Sequence, residues 1–167
     1  MLGTAPGGPG PSALSDLERK DIAIGISMIE AGAYAQAYKA FKKISRPNAS
    51  ALFGLALCHM AAEEHQSAIG LLERTLQMIP LVPKDTVTDE TYRKLHSMDS
   101  LEDNHKKAFG PDVPNVLPQY ARECVLRCLV DSYLAAGMYD KVRATASALG
   151  NTEYENVKEA LSAVSGK

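Results

Sequence analysis

From residue 15 onward, apolar side chains recur at roughly helical spacing, which gathers them toward one face of an α-helix. In the first run these are Leu17, Ile22, Ile24, Met28 and Ile29. Ser15 stands where an N-cap belongs, Glu18 three residues later completes a capping box, and the helix is expected to stop before Gly32. Residues 33–44 predict a second helix with Tyr34, Ala37, Tyr38, Phe41 and Ile44 along one stripe, ended by Arg46, Pro47 and Asn48. The two runs make a helical hairpin, and the pattern then recurs. Over 49–61 Leu52, Leu55, Ala56 and His59 share a face, over 66–78 Ala68, Leu71, Leu72 and Thr75 do, and Pro80 closes the unit. A third pair is predicted at 119–136 and 139–149. A last amphipathic helix follows at 152–164, with Tyr154, Val157, Leu161 and Val164 as its buried edge.

Two stretches break the rhythm. Residues 1–14 mix Gly, Pro and small side chains that cannot bury enough apolar surface to offset the entropy of ordering, so a disordered tail is expected there, with one folded domain over 15–167. Between 81 and 118, Pro83, Pro111, Pro114 and Pro118 bracket a polar helical segment, 89–109, with few apolar anchors. It is read as an insertion between repeats. His96 and His105 on it, and His65 in a turn, are expected to be solvated, whereas His59 takes a core position of its repeat.

Superposing the hairpins gives one template. Ile24, Gly25 and Met28 pair with Ala37 and Phe41; Leu55, Ala56 and His59 with Ala68 and Leu72; Leu129, Val130 and Tyr133 with Val142 and Ala146. Small residues at Gly25, Ala56, Ala37 and Ala68 let the two helices of a hairpin approach closely, while Phe41 and Leu72 fill the space toward the next unit. The turn Ala31-Gly32-Ala33-Tyr34 returns as Ala136-Gly137-Met138-Tyr139. This pattern resembles the tetratricopeptide repeat. The match is good over 17–80 and weaker over 119–150, where Val130 and Val142 stand in place of small residues; a generic helical bundle with the same Ala and Leu pattern is the alternative.

The resemblance implies an all-α, right-handed superhelix of antiparallel helix-turn-helix repeats, at about 17–47, 48–80 and 119–150, with the 152–164 helix capping the end. In this family the inner faces of the first (A) helices line a concave groove that receives a peptide or helix. Carried onto this sequence, the groove consists of Arg19, Ile22, Ala23, Ile26 and Ile29, then Ser50, Phe53, Gly54, Leu57 and Met60, then Cys124, Arg127, Cys128, Asp131 and Leu134. Phe53 is the candidate anchor and Arg127 a polar latch. Ile22, Ile26, Gly54 and Cys128 stand where the carboxylate clamp of chaperone-binding relatives needs Lys and Asn, so that specialisation is not expected. The expectation is an interaction module that binds a protein or peptide in an apolar groove, without a cofactor and without chemistry of its own. Two alternatives stand beside it: a self-associating or permanently assembled subunit, and a groove filled by the chain's own insertion or last helix.

Charge and candidate chemistry narrow this only slightly. Eighteen Lys and Arg balance 20 Asp and Glu, giving no surplus for phosphate backbones or anionic lipid, so neither nucleic acid nor membrane is an expected partner. Apolar stretches such as 51–60 fall short of the roughly 20 residues a bilayer requires. Three cysteines, an odd number without a recognisable secretory leader, suggest reduced thiols and an intracellular protein, cytoplasmic or nuclear. Cys124 and Cys128 lie one helical turn apart, but no second pair accompanies them, so buried thiols are expected rather than a metal site. Neither a phosphate-binding glycine loop nor a nucleophile with a local base is evident.

Overall fold

The computed structural model describes residues 14–82, 89–150 and 153–166, and the described residues form helices and no strand. The repeat unit is set by two local devices. Helix α1 (Asp16–Glu30) begins on a complete capping box: Ser15 Oγ accepts the Glu18 amide at 3.2 Å, and the Glu18 carboxylate accepts the Ser15 amide at 2.9 Å. It turns into α2 (Tyr34–Lys42) through Gly32 at φ +73°. Helices α3 (Ala49–Ala61) and α4 (His65–Met78) form the second hairpin, and α7 (Pro118–Ala135) and α8 (Tyr139–Leu149) the third.

All three hairpins use the same turn. The amides of Ala33, Glu64 and Met138 bond to the carbonyls of Met28, His59 and Tyr133, each five residues back. In the third hairpin Gly137 supplies φ +72°, and in the second the non-glycine Glu63 is driven to φ 59°. The matching turns at Gly32 and Gly137 were visible in the sequence; the middle one was masked by Glu63.

The stack continues straight past the insertion. α2 packs on α3, α4 on α7, and α9 (Glu155–Val164) against both α7 and α8. Arg122 of α7 donates to the carbonyls of Leu76 and Ile79, both at 3.2 Å, closing the C-terminal end of α4. Tyr133 reaches Glu73 at 2.7 Å from the same side. The small-residue logic is explicit at Phe41, which is 1% exposed: a Cβ added to Gly25 would lie 2.6 Å from its ring, and one added to Gly54 would overlap it. One aromatic thus wedges between two glycines of successive A helices.

Several expectations need correction. Leu17 and Ile24 lie on the outer side of α1, 69% and 41% exposed, because the buried stripe runs through Asp21, Ile22, Gly25 and Ile29. The polar helix foreseen over 89–109 ends early: α5 spans Glu90–Leu101, the chain turns extended at Glu102, makes one 3-10 turn at Asp103–Lys106 and a short α6 at Val113–Val116. His105 is consequently 1% exposed rather than solvated. The stretch foreseen as a tail lies almost wholly outside the described residues, as does the start of the last helix at residue 152.

Candidate functional site

The A helices α1, α3 and α7 present one common face, and segment 102–114 of the insertion runs across it. Phe109, 5% exposed, stacks on the fully buried Phe53 with ring centroids 4.5 Å apart and planes 11° from parallel. Ser50, also fully buried, donates its hydroxyl to the Gly110 carbonyl at 2.7 Å. Arg127, 5% exposed, donates to the Glu102 carbonyl at 3.1 Å and to Asn156 at 2.9 Å, and lies over the Tyr154 ring at 4.4 Å. At the far end Arg19 donates from Nη1 to both carboxylate oxygens of Asp112, at 3.0 and 3.2 Å.

His105 is the polar centre of this plug. One ring nitrogen meets Asp131 at 2.8 Å, its carbonyl accepts the Cys128 thiol at 3.2 Å, and its Nδ1 has no hydrogen-bond partner. Burial opposes the charge on Asp131, yet the hydrogen bond and charge of His105, the Asn156 amide and nearby Lys106 outweigh it and hold the carboxyl below the usual range. Burial pushes the Cys124 thiol up to about 11 and that of Cys128 well above its ordinary value, so both stay protonated and behave as packing groups. Among the described residues no three His, Cys, Asp or Glu side chains are gathered to hold a metal ion.

The foreseen groove residues therefore divide. Ser50, Phe53, Arg127 and the outer Arg19 are engaged by the chain's own segment. Ile22 is fully buried and Ile26 is half-buried against the core. Leu57, Met60 and Asp131 line what remains open, a pocket of about 310 Å³ shared with Tyr34, Ala61, His65 and Lys106. Leu134 is half-buried nearby in sequence, packed against the core. Both ways considered for covering this face within the chain are seen: the insertion meets Arg19, Ser50 and Phe53, and at Arg127 and Asp131 the insertion is joined by Tyr154 and Asn156 of the last helix.

A wider concavity lies elsewhere, at a place the sequence reading did not mark. A trough of about 720 Å³ runs between α5 and the start of α7, walled by Tyr92 and Leu95 on one side and by Val116, Leu117 and Tyr120 on the other, with Val82 at its edge. Its charged lining is Asp99 and Glu123. Tyr92, Leu95, Leu117 and Tyr120 are 46%, 55%, 54% and 45% exposed, and Met98 and Leu101 are exposed farther round α5, outside the trough's lining. Exposed apolar side chains gathered in a concavity mark contact surfaces more often than idle surface. The sequence signal was present as Tyr92, Leu95, Met98 and Leu101 at every third residue, but the charges between them concealed it.

Residues 28–81 match the tetratricopeptide repeat family model. No curated protein and no solved structure matches the chain. The matched stretch begins in the last turn of α1 and takes in α2, α3 and α4, about a third of the chain, and over that stretch the chain is similar to the tetratricopeptide repeat.

Proposed function

We propose that this chain is a protein-interaction module without chemistry of its own, in which the repeat frame holds segment 102–114 and thereby presents α5 and its trough to a protein partner. Tetratricopeptide repeats mediate protein-protein interaction, which sets the general class. The observation that carries the particular reading is occupancy: the face expected to receive a partner already holds Phe109, Gly110, Glu102 and His105 against Phe53, Ser50, Arg127 and Asp131. A segment tethered in place acts at an effective concentration of about millimolar or more, so a free peptide must exceed that advantage before it can enter. The α5 trough has no such occupant among the described residues. A second reading, a permanently assembled subunit, draws support from the same exposed apolar surface, which a stable assembly would cover.

The test is affinity capture from extract with wild type, a Leu95→Glu, Met98→Glu variant and Phe109→Ala, each first checked for helix content by circular dichroism. A partner lost by the first variant and kept by the second supports display through α5. A partner kept by the first and bound more strongly by the second returns the site to the A-helix face. Sedimentation of the purified chain separates the two readings: a monodisperse monomer fits an adaptor, an oligomer a built-in subunit.

A further inference from the structure

We infer that the occupant of the α5 trough is an amphipathic helix whose apolar face ends in a Lys or Arg lying against Asp99 and Glu123, an inference that rests on the display reading above. The lining settles the chemistry. Tyr92, Leu95, Leu117 and Tyr120 supply apolar walls, and among the described residues the charged side chains lining the trough are the acidic Asp99 and Glu123. The adjoining cavity of about 400 Å³ shares His96, Asp99, Tyr120 and Glu123 and adds Glu102, extending the acidic end. That second cavity is also lined by Arg127, bonded to the Glu102 carbonyl and Asn156 and lying over the Tyr154 ring, and by Lys107, bonded to Asn104, so its acidic excess is that of Asp99, Glu102 and Glu123 over these two cations.

A helix suits the trough better than an extended segment. An extended peptide keeps its backbone groups satisfied by adding to a sheet edge, and the described residues include no strand. A helix satisfies its own backbone and needs only side-chain anchors at i, i+3 and i+4. α5 has 12 residues, about 18 Å of helix, so an occupant of similar length can span the trough. Two other occupants are disfavoured by charge. A second copy docked symmetrically through this trough brings a second Asp99 and Glu123 into the same interface, and residues 1–13 of this chain contain no Lys or Arg.

The experiment uses two labelled synthetic helical peptides, each about 14 residues long with leucines on one face, one ending that face in lysines and the other in glutamates. Fluorescence anisotropy is read against wild type, Asp99→Lys and Leu95→Glu at low and high salt, with sedimentation of each protein alone. The lysine peptide is expected to bind wild type roughly tenfold more tightly than the glutamate peptide, with the difference shrinking as salt screens it. Asp99→Lys, which leaves one cation against Glu123 in the trough, should erase the preference, and Leu95→Glu should remove binding of both. Equal binding of the two peptides by wild type, failure of both to bind, or binding that survives Leu95→Glu overturns the inference. So does a wild-type dimer dispersed by Leu95→Glu, which makes a second copy the occupant. Should a protein captured from extract depend on Leu95 while neither peptide competes with it, the display reading stands and the helix-and-cation inference falls.

Discussion

Phe109 is the test of whether the insertion is truly part of the core. Its ring is 5% exposed and stacked at 4.5 Å on Phe53, itself fully buried, so Phe109→Ala removes a buried aromatic and leaves a cavity facing a second ring. A buried Phe→Ala change costs about 3 to 5 kcal/mol, and about 0.5 to 1.5 kcal/mol of that belongs to the aromatic pair. Phe53→Ala should cost a similar amount, and the double variant less than the sum, with a coupling of about 1 kcal/mol or more. Urea unfolding followed by circular dichroism gives all four corners of the cycle. Near-zero coupling, or a loss below about 1 kcal/mol for Phe109→Ala, would show that the segment is not docked in solution and would remove the basis for a groove filled in cis.

Three further outcomes follow from the same geometry. Gly54→Ala should destabilise by a net of about 1 to 2 kcal/mol, since overpacking against Phe41 outweighs the gain in helix propensity and Gly25 blocks the ring's retreat, whereas Gly70→Ala, with open space around it, should stabilise by up to about 1 kcal/mol; equal shifts in urea midpoint would contradict the wedge. Glu63→Gly relieves a left-handed turn residue and should gain about 0.5 to 1 kcal/mol, an increase checked by thermal melting. Asp131 has its folded value depressed, so its stabilisation is complete above about pH 4, the ordinary carboxylate value, and is lost as the pH falls through the folded one; Asp131→Asn should be weaker than wild type at neutral pH, with the gap closing in acid, and a constant gap down to about pH 2 would refute the linkage.

The parts of the fold that obeyed local rules were readable in advance. Ser15 and Glu18 make their capping box, Gly32 and Gly137 make their turns, and Val157 and Val164 bury as the last helix's period requires. What periodicity could not supply was the path of the chain between α4 and α7. Over 89–109 the period favours a helix throughout, and only tertiary packing decides that the chain leaves it at Glu102 to drop His105 and Phe109 onto α3 and α7. One signal was available: Phe109 is one of three phenylalanines in the whole chain, set in an otherwise polar stretch and followed directly by Gly110 and Pro111. A lone large aromatic beside a helix breaker is an anchor with a bend behind it. The groove residues were assigned from the family pattern, which locates a face but says nothing of whether an insertion covers it.

That covering changes what the A-helix face can contribute. An open repeat groove has apolar positions such as Phe53 and Leu57 in water and recovers their burial only on binding, so its affinity comes largely from that area. Here Phe53 is already dry, and the energy of burying it is spent within the fold, holding the insertion rather than a partner. Any partner confined to the remaining 310 Å³ pocket at Leu57, Met60 and Asp131 would find room for a side chain or two, far less than a helix or peptide needs. The unspent apolar area lies on α5, with Leu95, Met98 and Leu101 each more than half exposed. On the proposed reading, opening the groove with Phe109→Ala should therefore leave partner binding through α5 in place, and a tighter complex with that variant would mean that the partner competes with the plug.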